Sequence, residues 1–340
     1  MSSGRLVDWS AQVLEACRVP KADARLTAEA LVEADLQGVA SHGCMLLPMY
    51  AERLLTGSVK ATPHIAVVED RPALLVLDAD HALGQVSSAR AVDLAVARAR
   101  SHGVAVVAVR HAFHFGAAAF WSARITAAGL VGAAMCNTRP LMPAPGGAER
   151  VVGNNPLSFA FPAYAGRPVV IDMATSHSAM GKIRNAEREG RPIPEGWATD
   201  KAGRPTTSAA DAIAGMLLPS AGPKGFGLAV MIDLLCGGIS GGAIGAEVKA
   251  LYGAADSHYD CSHCFIAIDA GPGMTPRTED FAEVIRNSAR AEGVSTVYAP
   301  GDLERERRAQ NESALTLSTE LKTQFATLSE RLGVPGLSVA

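Results

Sequence analysis

Two histidines in this 340-residue chain stand where an imidazole could do chemistry. His42 follows Ser41 in "SHGCMLLPMY", just past an amphipathic helical stretch. It could be a packed core residue, a metal ligand or an acid/base catalyst; the Ser41 hydroxyl could orient its ring, and Gly43 lets a backbone or ligand approach closely. His114, in "VAVVAVRHAFHFGAAAF", lies just beyond an apolar strand and immediately before a helix, which is where α/β sheets place ligand-contacting groups. The positive end of that helix disfavours an imidazolium, so a neutral His114 could polarise a carbonyl or exchange a proton near neutral pH. A hydrogen-bonded turn histidine is the structural alternative.

Other chemistries find less support. Adjacent Ser41 and His42 resemble a serine hydrolase fragment, but the chain has no G-x-S-x-G elbow. Neither G-x-G-x-x-G nor G-x-x-x-x-G-K-[ST] occurs, which disfavours an ordinary Rossmann site or P-loop. Three other segments could hold a nucleotide: "PGGAERVVGNNP" with Asn154 and Asn155, "IDMATS" with Asp172, and "GPKGFG" with Lys224. Asp172 at a strand end could accept a ribose hydroxyl, and Lys224 with free helix-start amides could hold a phosphate; each could equally be a turn. His258, Cys261 and Cys264 in "HYDCSHC" have metal-like spacing, yet no second CxxC or HxxxH accompanies them, so no metal site is expected.

The elements that must carry these residues follow from periodicity. Apolar residues three and four apart predict helices over 5–18 and 22–38, and a third over 44–56 with "TGSVKATP" as its exit loop. From 88 to 163 the pattern becomes helix, strand, helix, strand, loop, strand, the texture of an α/β layer, and "RPVVIDMA" adds a strand. A polar Pro/Gly-rich segment then leads to an apolar helix over 225–237, strand "CFIAIDA" and helices over 278–292 and 312–332. Hydrophobic residues at 48% and charged residues at 19% specify a folded chain. Net charge is −3, with 31 basic and 34 acidic residues dispersed, so there is no footprint for nucleic acid. The start lacks a signal-peptide pattern and no run of about 18 apolar residues is uninterrupted, so a cytoplasmic protein without membrane or nucleic-acid partners is expected. The six cysteines read as reduced, buried thiols.

Taken together, "SHGCMLLPMY", "HAFHFGAAAFW", "MCNTRPLMPAPGGAERVVGNNPLSFAFP", "VVIDMATSHSAMGKI", "IPEGWATDKAGRPTT" and "LLPSAGPKGFGLAVMIDLL" resemble the malate/L-lactate dehydrogenase family of NAD(P)-dependent oxidoreductases, which is distinct in fold from Rossmann lactate dehydrogenases. The likeness spans nearly the whole chain. It implies a mixed α/β fold: a non-Rossmann NAD(P)-binding domain with a largely antiparallel sheet, plus a helical domain drawn from both termini. The implied division is 1–78 carrying Ser41 and His42, 79–272 binding the cofactor, and 273–340 packing with the N-terminal part. It further implies an intertwined homodimer, NADPH or NADH as cofactor, and a 2-oxo acid or cyclic imino acid as substrate.

The resemblance implies that His42 and His114, with Ser41, flank the carbon that exchanges hydride, and it leaves open which histidine gives the proton. Tyr50, Asn137 and Arg139 would contact substrate; His114, Thr138, Asn154, Asn155, Asp172, Met173, Ala174, Lys182, Lys224 and Gly225 would contact cofactor. Two positions depart from relatives. Leu46 stands where most carry an Arg that grips a substrate carboxylate, and Arg139 is expected to supply that contact instead. Lys182 stands where the family's cyclic-imine reductases carry the Asp of a Ser-His-Asp relay, which favours reduction of a 2-oxo acid to a 2-hydroxy acid, or the reverse, over reduction of Δ1-piperideine-2-carboxylate or Δ1-pyrroline-2-carboxylate. Leu46 also makes a catalytically silent binding protein on the same scaffold conceivable.

Overall fold

The computed structural model describes residues 1–337. The chain opens with helices α1 (Ser3–Ala16) and α2 (Lys21–Leu36), makes 3-10 turns over Ala40–His42 and Cys44–Leu46, and adds α3 (Leu47–Thr56). Strands β1 (Ala66–Arg71) and β2 (Leu74–Asp78) follow, then α4 (Gly84–His102), β3 (Val104–Ala112), α5 (Ala118–Thr126) and β4 (Val131–Cys136). Next come β5 (Met142–Pro143), β6 (Arg150–Val152), β7 (Leu157–Phe161), β8 (Val169–Met173) and α6 (Met180–Arg188). The segment β9 (Ala198–Thr199), α7 (Ala209–Ala214), β10 (Met216–Leu217) and α8 (Pro223–Asp233) leads through a π-helical turn at Leu234–Gly238 to β11 (Cys261–Ile268). Helices α9 (Met274–Arg286), α10 (Asp302–Asn311) and α11 (Thr319–Leu332) close the chain.

Seven strands form the main sheet in the order β1-β2-β3-β11-β4-β7-β8. Only β2 and β3 pair in parallel; the other five neighbours are antiparallel, as expected. The centre is built from small residues because helices press on it. A Cβ on Gly132 of β4 would lie 2.4 Å from the Ser122 carbonyl of α5, so α5 can seat here only over glycine. β11 threads between β3 and β4, setting Cys261 opposite Ala112 and His263 opposite Cys136. The carboxyl ends of β3 and β4 therefore emerge at one edge of the sheet.

Helices from both termini pack together, also as expected. The Trp9 ring of α1 lies 4.5 Å from Phe325 of α11, its Nε1 donates to Ser329 Oγ at 3.3 Å, and Arg308 of α10 pairs with Glu33 of α2 at 3.0 Å. A second, smaller core joins Met142, Val152, Ile183, Ala186, Ala212 and Leu217, so β5, β6, α6, α7 and β10 gather into a lobe beside the main sheet. No helix among the described residues is long and apolar enough to cross a membrane. All six cysteines are buried and unpaired.

The structure corrects several sequence expectations. β1 and β2, where no strand was expected, join the sheet, which begins at Ala66. β1 lacks two-residue alternation because most of its side chains are exposed. α6 lies in the stretch read only as polar and Pro/Gly-rich, and α7 follows it with no helix expected; only Ile183 and Ala186 of α6 are buried, too little apolar signal against its charges. α10 buries no residue and is held by ion pairs, so hydrophobic periodicity is blind to it. α11 starts at Thr319 rather than 312, where the Ser318 side chain caps it by accepting from Leu321 N–H. α9 runs over Met274–Arg286 rather than 278–292, and β11 begins three residues earlier than expected, drawing Cys261 into the sheet.

Candidate active site

His42 owes its position to α2. Gly38 takes a φ of +78° just past the end of the helix, and the chain winds into the 3-10 turn Ala40–His42. Asp35, on the last turn of α2, accepts the Cys44 N–H at 2.8 Å, and a Cβ on Gly43 would sit 2.0 Å from its carboxylate. Gly43 is thus the residue that lets the turn close over Asp35. Burial pushes the Asp35 carboxyl up to about 6, with the Cys44 amide opposing the shift. The His42 imidazole is half-buried, and Ser41 Oγ lies 2.9 Å from its Nδ1. Burial lowers its basicity below the ordinary histidine value.

His114 is fixed more tightly. A Cβ on Gly84, the first residue of α4, would lie 2.2 Å from the Phe113 carbonyl and 2.4 Å from that of His114, so this helix end abuts the histidine backbone. Tyr50 Oη, from α3, lies 2.7 Å from His114 Nδ1, and Gly116 N–H donates to the same nitrogen at 3.3 Å. Gln85 Nε2 in turn donates to Tyr50 Oη at 3.2 Å. Burial, reinforced by His42 and His263, holds His114 well below the ordinary histidine value. Behind it the fully buried His263 stacks 4.6 Å from Phe115, and burial lowers its pKa to about 3. The His42 and His114 rings meet with centroids 5.5 Å apart and planes 30° from parallel.

Tyr50, expected to contact substrate, is buried beside His114 with its hydroxyl engaged by His114 and Gln85. Asn137 is also fully buried, donating to Asp233 Oδ1 and the Ala243 carbonyl at 2.8 Å each and accepting from Ser262 N–H at 2.8 Å. Asn155 is likewise buried; it accepts Thr138 N–H at 2.8 Å and donates to the Ala229 carbonyl at 2.9 Å, tying loops together from inside. Leu46 packs into the main core, so this position offers no cation. The guanidinium of Arg139, half-buried beyond β4, has no hydrogen-bond or carboxylate partner among the described residues; its electrostatic neighbours are Arg150 and Tyr259. Tyr259 also packs edge-on against Phe113, which links Arg139 to the His114 turn.

The remaining loops are joined in one hydrogen-bonded series. Thr138 Oγ1 donates to Asn154 Oδ1 at 3.2 Å, Thr175 N–H to the Asn154 carbonyl at 3.2 Å, Ser220 N–H to Thr175 at 2.8 Å and Gly225 N–H to Ser220 at 3.0 Å. A Cβ on Gly225 would come within 2.1 Å of that last carbonyl. Asp172, Met173 and Ala174 end β8 beside this series, the first two exposed. Lys182 and Lys224 are exposed, and neither has a carboxylate partner among the described residues. A cavity of about 340 Å³ opens between Gly146, Gly147, Thr199, Pro219 and Pro223. The buried hydroxyls of Thr175 and Ser178 lack hydrogen-bond partners, so this region has unspent polar groups and free cations that fit a phosphate- and hydroxyl-bearing nucleotide. Among the described residues no three His, Cys, Asp or Glu side chains are placed to hold a metal, because Cys261 and Cys264 bury into different cores on opposite faces of β11.

The description "Malate/L-lactate dehydrogenase" matches residues 1–323. The chain belongs to that family. It is 37% identical over 329 residues to the L-sulfolactate dehydrogenase of Methanocaldococcus jannaschii, covering 95% of this chain and 94% of that one. The structure of the sulfolactate dehydrogenase from that organism superposes with a TM-score of 0.92 at 35% identity, over 98% and 97% of the two chains. Ureidoglycolate dehydrogenase (NAD(+)) of Escherichia coli O157:H7 is 36% identical over 285 residues, 82% of this chain and 80% of the other. The structure of Δ1-piperideine-2-carboxylate reductase from Pseudomonas syringae is similar with a TM-score of 0.85 at 28% identity, over 97% and 98%. By membership in the family the protein is an oxidoreductase of the dehydrogenase type.

Sequence reasoning missed Asp35, Gly84, Gln85 and His263. Gly84, Gln85 and His263 act across elements distant in the chain, and Asp35 acts on the turn just after its own helix; only Gly84, at a helix start after "HAL", carried a local mark, and a glycine there is equally an ordinary turn residue.

Proposed function

We propose that this protein is an NAD(P)-dependent oxidoreductase that interconverts a 2-hydroxy acid and the corresponding 2-oxo acid. The observation that carries the reading is the meeting of His42 and His114, from separate parts of the chain, with ring centroids 5.5 Å apart. Bound nicotinamide would supply the hydride donor or acceptor. His42, the less depressed of the two imidazoles, takes the hydroxyl proton during oxidation and returns it during reduction, a contribution of about 10² to 10⁴ in rate. His114 stays neutral and hydrogen-bonds the substrate oxygen. Arg139 grips the carboxylate in place of the missing Arg at Leu46; its unpartnered guanidinium supports this assignment.

Asp172 would take a ribose hydroxyl, and Lys182 of α6 and Lys224 at the start of α8 the phosphates. Thr138, Asn154, Met173, Ala174 and Gly225 complete the nucleotide's surroundings. We further propose a cytoplasmic homodimer, supported by the exposed row Leu228, Met231 and Leu234 along α8 and the following turn.

The test is oxidation of NADH and NADPH against pyruvate, oxaloacetate, phenylpyruvate, diketogulonate, Δ1-piperideine-2-carboxylate and Δ1-pyrroline-2-carboxylate. Turnover of a 2-oxo acid supports the reading, and Arg139→Ala should then raise KM for that acid by about 30-fold, the equivalent of roughly 2 kcal/mol. An unchanged KM would remove Arg139 from the account. Turnover of the two imines alone would establish the second reading, cyclic imino acid reduction, which the likeness to the Pseudomonas syringae reductase favours. Cofactor binding without any turnover would indicate a silent scaffold.

A further inference from the structure

We propose that Gln85 is a positioning residue that, through Tyr50, locks His114 in the tautomer carrying its proton on Nε2. The inference rests on reading His114 as a site residue. It follows from counting hydrogens around one nitrogen. Gly116 N–H points at His114 Nδ1, 3.3 Å away, so Nδ1 is an acceptor and carries no hydrogen of its own. Tyr50 Oη is 2.7 Å from the same Nδ1, and of two atoms so close one must donate; it is the hydroxyl. Tyr50 has a single hydrogen, and the His114 carbonyl at 3.1 Å is the more distant acceptor for it. With that hydrogen committed to Nδ1, Tyr50 Oη can only accept from its remaining neighbour, Gln85, so the Gln85 amide must present Nε2 at 3.2 Å.

The arrangement leaves a trace. Gln85 is fully buried and its Oε1 has no hydrogen-bond partner, so the amide holds its donor toward Tyr50 while its acceptor goes unused. The three residues come from the first turn of α4, the middle of α3 and the loop before α5, and a Cβ on Gly116 would lie 3.5 Å from Gln85 Nε2. Gln85 thus stands against the strand end it controls. A neutral ring with Nε2–H gives the site a hydrogen-bond donor and no proton acceptor on that side, which assigns proton exchange to His42.

Two-bond ¹H–¹⁵N correlation spectra of the full-length, ¹⁵N-histidine-labelled protein read the tautomer directly, with His114→Asn identifying the signal. Wild type is expected to show a protonated Nε2 and bare Nδ1 from pH 6 to 8. Gln85→Glu keeps the size but donates to Tyr50 only while protonated. Its Nε2–H signature and kcat should both fall, kcat about tenfold, as pH rises through the Glu titration, with KM for the cofactor unchanged. Gln85→Met should show a mixture of tautomers at every pH. An Nδ1–H signature in wild type, or a Gln85→Glu protein whose tautomer and kcat follow wild type at all pH values, would overturn the proposal. The tautomer is read without substrate, so failure of every substrate tested would weaken the functional reading and leave this result standing.

Discussion

His42 and His114 face each other, yet the chain supports them by different means. His114 has its backbone against the first turn of α4, Nδ1 between Tyr50 and Gly116, and His263 stacked on the adjacent Phe115. His42 lies on a single 3-10 turn, its N–H on the Val39 carbonyl; its ring has Ser41 Oγ as polar partner, and the turn that follows is held by one carboxylate, Asp35, through the Cys44 N–H. The heavily supported ring cannot gain a proton without disturbing several buried groups. The lightly supported ring can, and that difference divides the labour between donating a hydrogen bond and carrying a proton.

The largest effect that would break the comparison is on turnover. His42→Ala should reduce kcat by about 10² to 10⁴ while leaving the thermal midpoint close to wild type. A fall of less than tenfold would show that His42 carries no proton.

Gly84→Ala comes next. The new methyl would meet two backbone carbonyls that cannot rotate away, at a cost of about 1–3 kcal/mol measurable by urea unfolding. Retained stability would mean that α4 does not clamp His114.

His263 sharpens the comparison through pH. Its folded pKa, about 3, lies below the unfolded value near 6.5, so the unfolded state binds the extra proton between them. Its share of stability is complete above about pH 6.5 and is lost as pH falls toward 3, at roughly 1.4 kcal/mol per pH unit. Asp35, raised to about 6, acts with the opposite sign, so the difference between wild type and His263→Phe isolates the histidine. The variant should lose stability less steeply below pH 6.5; parallel curves would refute the assignment.

The smallest effect is expected from Gly43→Ala. Its methyl would meet the Asp35 carboxylate, a side chain that can rotate, so the cost should be about 1 kcal/mol and below that of Gly84→Ala. A cost above that of Gly84→Ala would reverse the order of rigidity argued here.

What the sequence offered of this candidate site is local. Ser41, His42, His114 and the loops at Asn154, Asp172 and Lys224 lie in short segments whose order alone carries the family resemblance. The supports were not legible. Asn137 and Tyr50 are polar residues in motif positions, which made substrate contact plausible, but Asp233 and Gln85, far away in the chain, occupy their polar atoms. The fold repeats the pattern: apolar β3 and β4 stood out, whereas solvent-facing β1 and ion-paired α10 had no hydrophobic face to betray them.

The central claim, that His42 carries the proton while His114 stays neutral, is tested most directly by the pH dependence of kcat/KM for oxidation of the 2-hydroxy acid in wild type, His42→Gln and His114→Gln. The account predicts a loss of activity below pH 6.5 in wild type and in His114→Gln, as a base with lowered pKa becomes protonated, and a flat acid limb in His42→Gln. An acid limb that vanishes in His114→Gln and survives in His42→Gln would contradict it.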